Sequence, residues 1–237
     1  MALPKITQPT FKVQLCSIKE PVTVRPFLVK EHKILLMASE SKEAADIVMA
    51  IKQILSNCVV DDIDIDSLPT VDVELLFANI RAKSIGETLD LKYRCENMVG
   101  EEKCGAEFKI SVNLCTDIKI SDIPDRTFAF TPAIGVVMKI PSLSATAQIV
   151  EEDNPDDSNS VIECIDYIYD EDSVYYAKDC TKEELLDWID SLTDEQFEQL
   201  RGFFDSVPYI YADSSKACPK CGYVHEVRLE GIADFFT

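Results

Sequence analysis

Alternation of apolar and polar positions is the clearest pattern along this chain. In LDLKYRC, Leu89, Leu91, Tyr93 and Cys95 fall on one face, and Asp90, Lys92 and Arg94 on the other. The run AEFKISVNL does the same, with Ala106, Phe108, Ile110, Val112 and Leu114 on its apolar side. Period two held over this length predicts a half-buried antiparallel hairpin. A similar strand follows near the C-terminus, where Tyr223, His225, Val227 and Leu229 alternate with Val224, Glu226 and Arg228. Residues 10–37 also read as strands, FKVQLC first and VTVRPFLVKEHKILLMA after Pro21. Residues 127–140 read as another strand pair, followed by a short helix from Ser142, and YIYA near residue 210 as a further strand.

Other stretches carry the helical period. Ser41 opens a helix through Cys58, with Ala44, Ile47, Val48, Ile51, Ile54 and Leu55 on one face. Thr70 caps a second, VDVELLFANIRAKSI, whose stripe is Val73, Leu76, Phe77 and Ile80 and which Gly86 ends. Residues 151–160, EEDNPDDSNS, read as a flexible loop. VIECIDYIY then reads as helical. Two more helices have capping-box spacing, Thr181-x-x-Glu184 and Thr193-x-x-Gln196. Trp188, Ile189, Leu192, Phe197, Leu200, Phe203 and Phe204 are their core residues. The sum is an α+β fold of antiparallel strands and helices. It divides into an N-terminal region, 1–122, with the first cysteine hairpin, then a strand pair and acidic helical region, 123–207. A C-terminal hairpin, 208–237, completes a four-cysteine module with residues 87–114.

Composition sharpens this picture in two places. With 46% apolar and 28% charged residues the 237-residue chain can bury a substantial core. It shows no signal-peptide pattern and no apolar run near the ~20 residues of a membrane helix, so a soluble, intracellular protein is expected. The net charge of −20 is concentrated: residues 151–206 hold 19 acidic side chains against Lys178, Lys182 and Arg201. That field opposes phosphate backbones. It reads first as a solvated face, and second as a surface complementary to a basic protein.

The nine cysteines are mostly scattered, unlike a secreted disulfide framework. Cys218 and Cys221 are different, because CPKCG is a turn that points two sulfurs at one ion, and its glycine permits positive φ. The earlier hairpin has the same form: strand, Cys95, eight residues, Cys104-Gly105, strand. Two hairpins offering two thiolates each make a zinc-ribbon arrangement, so one site of Cys95, Cys104, Cys218 and Cys221 is expected. Soft sulfur donors in tetrahedral array favour Zn²⁺, and four protein ligands leave no open position, which makes the metal structural. His225 is an alternative fourth ligand, though a histidine on the apolar side of a strand is more often simply packed there. A redox dithiol is the rival for CPKC, but the turn lies between strands and not at a helix start that would lower a thiol pKa. Cys16, Cys58, Cys115, Cys164 and Cys180 lack ligand spacing and read as small buried hydrophobes.

Signals for catalysis are missing. Counted from Asp62, DDIDIDS places Ser67 and Val73 where a calcium loop needs Gly and Glu. No phosphate-binding loop, nucleophile elbow or HExxH occurs. His32 and His225 are the whole histidine complement. A non-enzyme is expected.

The motifs also carry a resemblance. MALPK, RPFLVKEHKILLMA, VDVELLFANIRAKSIGETLDLKYRC, the paired Cys-Gly turns and the terminal HEVRLEGIADFF together resemble the baseplate hub family of contractile-tailed, T-even-type bacteriophages. The likeness covers most of residues 1–115 and 208–237. It implies a non-enzymatic tail protein, built into the hub or acting transiently in its assembly. Its expected partners are other hub and tail proteins, met in the host cytoplasm and then in the virion tail baseplate. The acidic surface of 151–206 and the terminal Phe235 and Phe236 are candidate contacts; the two rings can equally cap the protein's own core. A zinc-ribbon module for nucleic acid or transcription machinery is a different class. The ribbon strands disfavour it with mixed charge: Lys92, Arg94, Glu107, Lys109, Glu226, Arg228 and Glu230.

Overall fold

The computed structural model describes residues 6–41, 44–145 and 158–236. They form a mixed structure of helices and antiparallel sheets in two compact units. One unit joins residues 1–63, 71–121 and 209–237; the other joins 64–70 and 122–208. Among the described residues, no helix is long and apolar enough to cross a membrane.

The first unit begins with a short hairpin, Phe11–Val13 against Val22–Val24, in which Val13 lies opposite Val22. Val22 and Val24 are fully buried, and the second strand continues its pairing through a bridge from Val24 to Val59. Residues 29–37, read above as strand, instead belong to a helix, Val29–Ser41. Among its described side chains the buried ones are Glu31, Leu35 and Ala38, the i, i+4, i+7 spacing of one helical face. An acidic residue occupies the first of them, so apolar periodicity alone misses the stripe. The Glu31 carboxylate is buried between the Arg25 guanidinium at 2.9 Å and the Leu28 N–H at 2.8 Å. Burial raises its pKa, but those partners outweigh burial and hold it below the ordinary carboxylate range.

The next helix, Ala44–Cys58, buries Ile51, Ile54, Leu55 and Cys58. Ser41 ends the preceding helix and does not open this one. The helix Thr70–Ser84 is buried on most sides, with Val71, Val73, Leu76, Phe77, Ala78, Ile80 and Ala82 all in the interior. Asp72 in its first turn is fully buried and accepts the N–H groups of Cys16 and Ser17 at 2.6 and 3.0 Å. One carboxylate thus ties the loop after the first strand to the helix N-terminus, where negative charge is favoured.

The expected hairpin pairs Thr88–Arg94 with Glu107–Asn113, placing Leu89 opposite Val112, Leu91 opposite Ile110 and Tyr93 opposite Phe108. Ile210–Ala217 pairs with Val224–Glu230 and, on its other side, with Ile118–Ile120. The Lys216 ammonium donates to the Lys109 carbonyl and the Ser214 hydroxyl to the Ser111 carbonyl, joining the two hairpins. Leu89, Val112, Leu114, Ile210, Ala212, Leu229 and Phe235 make a common core with the helix Thr70–Ser84. The terminal IADFF is part of a short helix, Gly231–Phe236, and not a strand extension. Phe235 is fully buried in that core, so its ring is no exposed contact; the side chain of Phe236 lies outside the described residues.

The second unit is a four-stranded antiparallel sheet in the order Val174–Tyr176, Ile165–Tyr169, Gly135–Met138, Thr127–Ala129. VIECIDYIY divides between a helix, Ser158–Glu163, and the second of these strands. Tyr167 to Tyr169 pair with Gly135 to Val137, which forces extended backbone on a segment whose apolar spacing fits a helix. Helices Lys182–Asp190 and Asp194–Arg201 both carry complete capping boxes, Thr181 with Glu184 and Thr193 with Gln196. Leu185, Ile189, Leu200 and Phe203 pack with Val136, Met138 and Ile165 in one core. The expected loop at 151–160 falls largely outside the described residues, as does the helix from Ser142 beyond Ala145.

Candidate metal centre

The two cysteine hairpins share one set of backbone hydrogen bonds. In the first, the Cys95 N–H donates to the Ala106 carbonyl and the Gly105 N–H donates to the Cys95 carbonyl, each at 2.9 Å. In the second, the Cys218 N–H donates to Tyr223 at 2.7 Å and the Gly222 N–H to Cys218 at 3.0 Å. Gly105 and Gly222 sit at φ of 65° and 75°, left-handed backbone that glycine adopts without Cβ strain. The repeat seen in the sequence is therefore a repeat of turn geometry.

The unequal spacing has a local cause. Between Cys95 and Cys104 lies a miniature hairpin, Met98–Val99 against Glu102–Lys103, turned at Gly100 with φ of 69°. The Cys104 N–H donates to the Asn97 carbonyl at 2.8 Å, which returns the chain beside its starting point. Eight intervening residues thus do the work of two.

Four sulfurs converge. Those of Cys95, Cys104, Cys218 and Cys221 all lie within 4.8 Å of one another. Cys95 and Cys221 are 3.6 Å apart, and Cys104 and Cys218 3.7 Å. Both separations exceed a disulfide bond of about 2.05 Å. They match the ~3.8 Å edge of a sulfur tetrahedron around zinc with bonds of about 2.3 Å. Cys95, Cys104 and Cys218 are buried and Cys221 half-buried, packed against Ala106 and Phe108. The donor set fits a closed tetrahedral metal site.

The thiols differ in how readily they ionise. Burial pushes Cys95 up to about 12. The backbone N–H of Tyr223 is the largest influence on Cys221 and brings it down to about 6. Cys218 is also lowered: burial opposes ionisation, but the N–H groups of Cys221 and Lys220 outweigh it. The second hairpin is thus built to present thiolates, the form a metal requires. Elsewhere burial raises Cys58 to about 11 and Cys164 to about 12, as expected of packed thiols. Cys16 and Cys115 are exposed, contrary to the sequence reading, because each falls in a turn.

Three side chains neighbour the sulfurs: His225, weighed from the sequence as a fourth ligand, and Asn97 and Lys220, which the sequence reading did not single out. His225 places Nε2 at 3.2 Å from the Cys95 sulfur, its ring held among Tyr93, Phe108 and Tyr223 with centroids 5.6, 5.3 and 4.9 Å away. It stands beside the four sulfurs and not in place of one. Asn97 directs Nδ2 at the Cys221 sulfur, 3.7 Å away, and the Lys220 ammonium donates to the Cys104 carbonyl at 2.9 Å. All three contacts cross between hairpins more than 110 residues apart in the chain. The only trace in the sequence is that each residue lies within four positions of a cysteine.

Comparison with curated proteins and with solved structures gives no significant match. A family comparison does: residues 8–237 match the family described as T4 bacteriophage base plate protein. With nearly the whole chain matched, both units and the cysteine cluster included, the protein belongs to the T4-type phage baseplate family.

Proposed function

We propose that this protein is a non-catalytic structural component of the hub of a contractile phage tail baseplate, fastened internally by one zinc ion. The family match over residues 8–237 is the observation that carries the role. The zinc reading is supported by the convergence of Cys95, Cys104, Cys218 and Cys221 within 4.8 Å. A bound zinc ion would join the C-terminal hairpin, 208–237, to residues 87–114 as a ribbon-like module. Four protein ligands would leave it no open position for catalysis.

Its partners in this reading are other hub and tail proteins, met in the host cytoplasm during assembly and retained in the virion tail. The acidic residues of the second unit would meet a basic partner and steer encounter with it, which makes association salt-sensitive. Mass spectrometry of purified virions tests the role directly. The expected result is this chain in stoichiometric amount with the other baseplate proteins. Its absence from particles that require it for assembly would make it a transient assembly factor instead. Metal analysis of the purified protein should find one zinc per chain, lost on Cys218→Ser.

A further inference from the structure

Four thiolates around one divalent cation leave a net charge of −2 in a largely buried place, and such charge needs nearby donors. Two side chains supply them, each from the opposite hairpin. Asn97 follows Cys95 by two residues yet reaches Cys221, while His225 follows Cys221 by four residues yet reaches Cys95. The two sulfurs they address are neighbours, 3.6 Å apart. A metal-bound thiolate has no proton to give, so a ring nitrogen at 3.2 Å must be the donor. The Asn97 amide likewise presents its nitrogen.

We propose that Asn97 and His225 are positioning residues that form a reciprocal clasp of N–H donors across the two hairpins. The clasp offsets the charge on Cys95 and Cys221 and sets how fast the metal is lost. This rests on the zinc reading above. The rings of Tyr93, Phe108 and Tyr223 fix the imidazole so that little ordering remains when the contact forms. Asn97 is held too, because its carbonyl accepts the Cys104 N–H. A cleft of about 610 Å³ lined by Asn97, Tyr223 and His225 lies on this side. Cys221 is the least buried of the four cysteines, so the clasp guards the sulfur most open to a competing chelator.

Zinc release from the full-length protein tests this, read with a chromophoric chelator in excess. His225→Phe keeps an aromatic ring in the cage but has no donor; His225→Gln restores an N–H donor. His225→Phe should still bind one zinc and release it about tenfold faster, the lower end of what such outer contacts contribute. His225→Gln should recover most of the wild-type rate. Asn97→Leu should accelerate release less, and the double variant more than either single one. Unchanged release from His225→Phe, or release from His225→Gln as fast as from His225→Phe, would overturn the clasp while leaving the zinc site standing. Wild-type protein free of metal would overturn both.

Discussion

The two units solve the problem of holding a fold together in different ways. The second is nearly continuous in sequence, and its means are local: capping boxes at Thr181 and Thr193, adjacent strands paired in a meander, and an apolar core. The first gathers three distant stretches of chain and ties them with long-range polar anchors. Asp72 reaches Cys16 across 56 residues, Glu74 accepts the Ile210 N–H across 136, and the cysteine cluster spans at least 114. Chain closure over such distances costs conformational entropy before any contact forms. Local interactions suffice where neighbours in sequence are neighbours in space; elsewhere strong, directional groups are needed.

Breaking the cluster should separate the units most sharply. Cys218→Ser removes one of the four sulfurs of the proposed zinc site, whose kind is worth roughly 10–16 kcal/mol in small isolated modules. Zinc content should fall, and hydrogen exchange should show the first unit deprotected while amides of Ile165–Tyr169 keep their protection. Equal loss in both units would mean that the second unit depends on the cysteine cluster as much as the first. Phe235→Ala should come next, costing about 3–5 kcal/mol through the cavity left beside Leu114 and Leu229. Chemical denaturation followed by a probe in the first unit measures it. A near-neutral result would show that the terminal helix is not a core element.

Glu31→Gln sharpens the same comparison by pH. The folded pKa of Glu31 lies below its unfolded value, so its pairing stabilises above the unfolded range near 4.3 and is lost as pH falls through the folded value. At pH 7 the variant should lose about 1.5–3 kcal/mol, the usual worth of a hydrogen bond to a charged group. The difference from wild type should shrink as the medium is acidified below about pH 4. A gap independent of pH would assign the loss to packing. The smallest effect belongs to the second unit, where Thr181→Ala or Thr193→Ala should each cost about 1 kcal/mol. Neither change should alter zinc content.

What could be read from the sequence follows the same division between local and distant. Period-two alternation located both cysteine hairpins, and capping-box spacing located the helices Lys182–Asp190 and Asp194–Arg201, because these signals lie within a few residues. The convergence of the four cysteines was legible because Cys104-Gly105 and Cys221-Gly222 share a turn. The helix Val29–Ser41 was not, since its inner face contains Glu31, whose burial depends on Arg25. The strand Ile165–Tyr169 was hidden because its apolar spacing also fits a helix, and only its pairing with Val174–Tyr176 and Gly135–Met138 decides the backbone. The sequence raised His225 only as an alternative ligand and Asn97 not at all, because the sulfur each touches is on the other hairpin.

The three-piece first unit also imposes a timetable on synthesis. Cys95 and Cys104 leave the ribosome more than a hundred residues before Cys218 and Cys221. During that interval the first hairpin holds two thiols without their partners, and Val112 and Leu114 lack Ile210, Leu229 and Phe235 to cover them. Residues 122–208, most of the second unit, emerge in between and can fold while the first waits. A nascent chain stopped anywhere before residue 218 lacks two of the four sulfurs and, from the shared core, at least Leu229 and Phe235. Until both cysteine hairpins have been made, the first unit keeps an open apolar face beside Val112 and Leu114.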